Sequence, residues 1–254
     1  MRRRAALFAA TLLAGCANPA AHVPPFARTP YAPFSRAAVV AIARDEWRAF
    51  GSPVDDAPPD APPPPAPEAK PERREGLWQR VGLYWWLGLN AGEPETRWTG
   101  KHDGRGRIFP PQDDGRFAWS AAFVSYVMRL AGAGPRFPYA DAHHVYINRA
   151  YARALGRARR DWLVSAEPPD AYAPRPGDLI CMSRTTRPLR FADLPAGRFA
   201  AHCDIVAGAT PGALAVIGGN VDDAVTLKHV PVTARGLLDA PRYPWFVVLR
   251  VLAP

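Results

Sequence analysis

The chain has 254 residues, 48% of them hydrophobic and eight of them Trp, which is enough to bury one sizeable core. Its net charge of +9 comes mostly from scattered arginines and suits an anionic envelope. No basic run is interleaved with aromatics, so nucleic acid is excluded as a partner.

In chain order, Arg2, Arg3 and Arg4 precede the short apolar run AALFAATLLAG, the anatomy of a secretory signal over residues 1–15. That run is too short to span a bilayer as a mature helix. Leu13-Ala14-Gly15-Cys16 resembles a bacterial lipobox, and Ala17 resembles the outer-membrane sorting pattern. The resemblance implies an exported protein with lipid attached at Cys16, held to the outer membrane and facing the periplasm. An ordinary signal peptide with a cysteine nearby is the alternative. Cys181 and Cys203 then remain: export permits a disulfide between them, and two buried free thiols are the other reading. Their spacing fits no zinc site, and no metal or cofactor is expected.

Residues 16–33 are rich in Pro and Ala and read as a tether, followed by a single domain over 34–254. Ser35 is placed to cap a helix whose face carries Val39, Ile42, Ala43, Trp47 and Phe50, with Gly51 as its stop. The Pro-rich stretch 53–72 predicts an exposed loop within that domain. GLWQRVGLYWWLGLN reads as a helix with a stripe of Trp78, Val81, Trp85 and Leu89, and both Trp85 and Trp86 are expected in the core. WTGKHDGRG, residues 98–106, has loop composition. The next helix opens at Trp119-Ser120, repeats Ala122, Phe123, Tyr126, Val127 and Leu130 at helical spacing, and closes at Gly132. HHVYINRAYARAL is a further helix with Tyr146, Ala150 and Leu155 inward. Beyond PRPGD, where Asp178 reads as a turn-fixing residue, the segments LICMS, HCDIVAGA, ALAVIGG, VTLKHVPV and WFVVLRVL are short and β-rich. Helices followed by an antiparallel sheet define an α+β fold.

HCDIVAGATPGALAVIGGNV predicts a hairpin turning near Pro211, with His202 opposite Asn220 and their Cβ atoms roughly 5 Å apart. Strand alternation sets Cys203 and Ile205 toward the core and His202 and Asp204 the other way. A histidine oriented by an amide is the base half of a nucleophile–His–Asn arrangement. Ser120, at a helix start, is the candidate nucleophile. His143, Trp119 and Asp204 are candidate substrate-binding residues. His143 also reads as a second base, and Asp204 as a charge that tunes His202. His144 and His229 read as surface residues.

In their order, these pieces resemble the NlpC/P60 and CHAP papain-like superfamily, and within it the DUF2272 family. The resemblance rests on EWRAFG, YWWLGLN, WTGKHDG, WSAAFVSYVMRLAG, HHVYI, PGDLIC, HCDIV and IGGNV. It implies a papain-like domain in which N-terminal helices pack on a small antiparallel sheet. It also implies cleavage of amide bonds in peptidoglycan peptides, with Ser120 as nucleophile, His202 as base and Asn220 as orienting residue. Serine stands where that superfamily carries cysteine, and a hydroxyl forms no stable ion pair with imidazole. Three readings follow: a Ser-His-Asn peptidoglycan amidase or endopeptidase, an inactive module binding peptidoglycan or an envelope partner, and an acyl or lipid hydrolase. The chain lacks the G-x-S-x-G elbow of the usual form of the last.

Overall fold

The computed structural model describes residues 33–57, 61, 70–239 and 241–253. The signal segment, Cys16, all of the tether but Pro33 and much of the Pro-rich loop lie outside these residues. The described chain is α+β, with four α-helices preceding a six-stranded antiparallel sheet.

Helix α1 (Arg36–Ala49) starts where the Ser35 hydroxyl accepts from the Ala38 N–H at 3.1 Å. Its inward face carries Val39, Ala43 and Glu46, whereas Ile42 and Trp47 are half-buried. Glu46 is tolerated there because its carboxylate accepts from Tyr84 Oη (2.6 Å), an Arg80 guanidinium nitrogen (2.8 Å) and Tyr126 Oη (3.0 Å). One carboxylate thereby ties α1 to α2 (Leu77–Gly88) and α3 (Ser120–Leu130). On α2 the buried residues are Val81, Tyr84, Trp85 and Gly88. Trp86, expected in the core, is instead 63% exposed, because its neighbour Trp85 takes the inward direction. Helix α3 is buried from Ser120 to Met128, but Leu130 at its end is exposed. On α4 (His143–Ala154), Tyr146, Ile147 and Ala150 face inward; Leu155 lies past the last turn and is exposed.

The sheet runs in the order β1–β6–β2–β3–β4–β5, with β1 Val164–Glu167, β2 Leu179–Ser183, β3 Ala201–Thr210, β4 Ala213–Val221, β5 Ala224–Pro231 and β6 Trp245–Val251. The last five match the predicted strands to within two residues at either end. Strand β1 has no counterpart in the sequence reading: VSAE is four residues long, on an edge, and pairs only with β6. One face of the sheet carries Cys203, Ile205, Ile217, Val247 and Leu249 against the helices. The other carries a smaller cluster of Ile180, Val206, Leu214, Val216, Val230 and Val248. Asp178 does more than fix a turn. Fully buried, it accepts from the backbone N–H groups of Arg175 and Val251, each at 2.8 Å, and pairs with Arg36 at 2.8 Å. It therefore fastens the start of α1 to the end of β6.

Candidate functional site

Ser120 is the first residue of α3, yet its hydroxyl does not cap that helix. Its Oγ lies 2.7 Å from Nε2 of His143, the first residue of α4. One turn along α4, Tyr146 Oη bonds the other ring nitrogen of His143, Nδ1. Ser120, His143 and Tyr146 are all buried. Burial, reinforced by the charge of His202, drives the His143 pKa well below that of an ordinary imidazole. At neutral pH the ring is uncharged and has one nitrogen free to accept. Burial likewise raises the Tyr146 phenol well above its usual value, so it stays neutral. When Nδ1–H donates to the phenol oxygen, Nε2 accepts the Ser120 hydroxyl, which is the tautomer a nucleophile–base pair requires.

A second unit lies behind His143. The His202 and His143 ring centroids are 5.5 Å apart, and His202 Nε2 meets Asp204 Oδ1 at 2.9 Å. Lys228 Nζ stands 3.6 Å from Asp204 Oδ2. All three residues are buried. Burial works to raise the Asp204 pKa, but Lys228 and His202 outweigh it and hold the carboxyl below the usual carboxylate range. The unit fits because β4 has no side chain beside it. A Cβ at Gly218 would overlap the Asp204 carboxylate and come within 2.9 Å of His202 Nε2. At the next residue, a Cβ on Gly219 would lie 2.6 Å from the Phe123 ring of α3. The pair of glycines in VIGGNV is thus a close-approach signal on both faces of one strand.

The cleft above Ser120 and His143 has a volume of about 840 Å³ and is lined also by Asp141, His144, Arg184, Arg198, Phe199, Asn220 and Asp222. The structure brings Ser120 to His143 and His202 to Asp204, which is a different pairing from the one expected. The ladder between β3 and β4 has the predicted register, Ile205 opposite Ile217, but its pairs end there. Asn220 lies at a bulge with a φ of 58°, lines the cleft and has no hydrogen bond to His202 among the described residues. His202 Nε2 is taken by Asp204, and the ring stands behind that of His143, so it is the histidine from α4 that reaches Ser120. Trp119 does not wall the cleft. It is buried, stacks on Phe50 and donates its indole N–H to Glu72. Asp204 is likewise too deep to touch a substrate. His144 lines the cleft rather than free surface, whereas exposed His229 pairs with Asp56 at 3.1 Å. Cys181 and Cys203, directly opposite on β2 and β3, are joined as a disulfide.

Asp114 and Asp223 line another wall of the cleft, and with buried Glu72 behind them they bring one carboxylate oxygen each within 4.8 Å of one another. The ammonium of Lys70 pairs with Asp114 at 2.6 Å and with Asp223 at 3.1 Å, so the charge there is met by the chain itself. Tyr146, Lys228 and Gly218 went unrecognised in the sequence. Tyr146 left a signal as the i+3 neighbour of a helix-opening histidine, and Gly218 left one as half of the glycine pair in VIGGNV; Lys228 left none.

The fold is thus an α+β domain that holds a hydrogen-bonded serine–histidine pair in an open cleft. The chain belongs to the DUF2272 family, described as uncharacterized proteins conserved in bacteria, whose profile matches residues 72–251. No curated protein and no solved structure matches it.

Proposed function

We propose that this chain is an exported serine hydrolase that cuts amide bonds in peptidoglycan peptides, with Ser120 as nucleophile and His143 as general base. The observation that carries the reading is the contact of 2.7 Å between Ser120 Oγ and His143 Nε2 at the floor of an open cleft. This is within the range of about 2.6–3.2 Å that proton transfer needs. Ser120 Oγ attacks the carbonyl carbon while its proton passes to His143 Nε2. The tetrahedral oxyanion forms near the start of α3, where the Phe123 N–H donates to the Trp119 carbonyl and a helix's first-turn amides point toward a developing negative charge. His143 then protonates the leaving nitrogen as the C–N bond breaks. A water, deprotonated by the same ring, attacks the acyl carbon, and as the C–Oγ bond breaks the ring returns that proton to Ser120 Oγ. Asp204 favours the imidazolium formed in each step, and Tyr146 holds the ring that receives the proton.

The order of WSAAFVSYVMRLAG, PGDLIC, HCDIV and IGGNV along the chain supports a papain-like, NlpC/P60-type assignment, and with it the peptidoglycan substrate. The disulfide and the lipobox-like LAGC support export and attachment through Cys16 to the outer membrane, facing the periplasm. Purified protein is expected to release soluble muropeptides from sacculi, read by chromatography, and Ser120→Ala and His143→Gln to stop that release. Release that persists in Ser120→Ala would overturn the assignment. Cys16→Ser should move the protein out of the membrane fraction, and its continued retention there contradicts the anchor.

A second reading, a non-catalytic module binding peptidoglycan, is favoured by the serine at a position where the resembling enzymes carry cysteine. It predicts saturable co-sedimentation with sacculi and no turnover. Failure to co-sediment excludes it.

A further inference from the structure

Arg184 and Arg198 stand on the wall of the cleft that holds Ser120 and His143. Arg184 follows directly on β2, where its backbone N–H donates to the Ala200 carbonyl at 3.0 Å, beside the cross-strand pair of Ser183 and Ala201. Both arginines are exposed, and among the described residues neither guanidinium makes an ion pair or a side-chain hydrogen bond. Other exposed arginines of this chain do find carboxylates: Arg48 pairs with Asp45 at 2.7 Å, Arg107 with Asp103 at 2.8 Å and Arg159 with Asp161 at 2.6 Å. Asp141 and Asp222 line the same cleft as Arg184 and Arg198, yet they do not neutralise them.

We infer that Arg184 and Arg198 form a subsite for a carboxylate of the substrate, beside the bond that Ser120 attacks. Which bond is attacked rests on the hydrolase reading above; the binding of a carboxylate does not. A guanidinium offers two parallel N–H donors that match the two oxygens of a carboxylate, and such charged bonds are stronger than neutral ones. The carboxylates elsewhere in the cleft favour a ligand with one negative charge over a doubly charged phosphate. The subsite also bears on the chemistry. After burial and His202, the charge of Arg184 is a further influence that holds the His143 pKa down. A carboxylate seated on Arg184 cancels that field, so the substrate itself eases the proton transfer from Ser120.

The test uses a fluorescein-labelled muropeptide from digested sacculi, either as the free acid or with its carboxylates converted to amides. Fluorescence anisotropy reads its binding to the full chain carrying Ser120→Ala, so that no turnover intervenes. The free acid is expected to bind at least ~10-fold more tightly than the amide, the size expected of a charged hydrogen-bonded pair. Adding Arg184→Gln and Arg198→Gln should bring the two peptides within about two-fold, and Arg184→Lys with Arg198→Lys should restore part of the preference. Matched circular-dichroism melting curves establish that each variant folds. Equal binding of the two peptides, a preference that survives loss of both guanidinium groups, or no binding of either peptide overturns the subsite. Loss of turnover in the wild-type protein with the binding preference intact would instead overturn the hydrolase reading alone.

Discussion

Glu72→Gln tests the electrostatics beneath the site. Glu72 is buried, accepts the Trp119 indole N–H, and shares its wall with Asp114 and Asp223. Burial, together with those two carboxylates, pushes its pKa up from 4.5 to about 8. The unfolded chain therefore releases this proton near pH 4.5 while the folded chain keeps it to about pH 8. The stability the neutral acid contributes is complete below the lower value and is lost as pH rises through the window. Each pH unit within it costs about 1.4 kcal/mol, so the loss is about 3 kcal/mol by pH 6.5 and about 5 kcal/mol by pH 8. Glutamine keeps a neutral amide of the same shape and an oxygen for Trp119, without a proton to lose. Urea denaturation followed by Trp fluorescence, from pH 5 to 8.5, reads the difference between the two proteins. Glu72→Gln should gain on the wild type steadily with pH and level off above pH 8. A difference that does not change with pH, or a variant less stable than the wild type at pH 8, would refute the reasoning.

Two further outcomes follow from the site and the sheet. Tyr146→Phe removes the hydroxyl that meets His143 Nδ1 and should slow acylation of Ser120 roughly 10- to 100-fold, a loss of about 1.5–3 kcal/mol. Labelling by a fluorophosphonate probe, followed by mass spectrometry, checks this, and an unchanged rate denies Tyr146 a positioning role. Reducing the Cys181–Cys203 bond, whose cysteines are 22 residues apart, should lower stability by about 3 kcal/mol on the loop-entropy account. Denaturation with and without a phosphine reductant measures the change, and equal midpoints would contradict it.

The sequence was most legible where its information is local. Periodicity and capping located α1, α3 and α4, and the GATPGA turn set the register that pairs Ile205 with Ile217. Ser120 was legible as a candidate nucleophile for the same reason, since a helix start is a local event. Its contact with His143 was legible only as a second base beside His202, because it depends on how two helices cross, and periodicity carries no crossing angle. Hairpin geometry made Asn220 the natural neighbour of His202, but it treats a strand as straight to its end, and β4 bulges after Gly219. Glu46 and Lys228 escaped because hydrophobicity assigns charged side chains to the surface. Each is held inside by partners that belong wholly or partly to other elements.

The glycines at 218 and 219 leave the core and the His202–Asp204 pair divided by bare backbone. Phe123 presses on one side of that partition and the Asp204 carboxylate rests against the other. Neither compartment can be enlarged or tightened there without moving the other, since no side chain stands between them to absorb the change. The helix that carries Ser120 and the carboxylate that holds His202 are thus in register through a single thickness of main chain. A repacking of Phe123, far from any solvent, would reach the imidazole–carboxylate pair as a displacement of the strand itself.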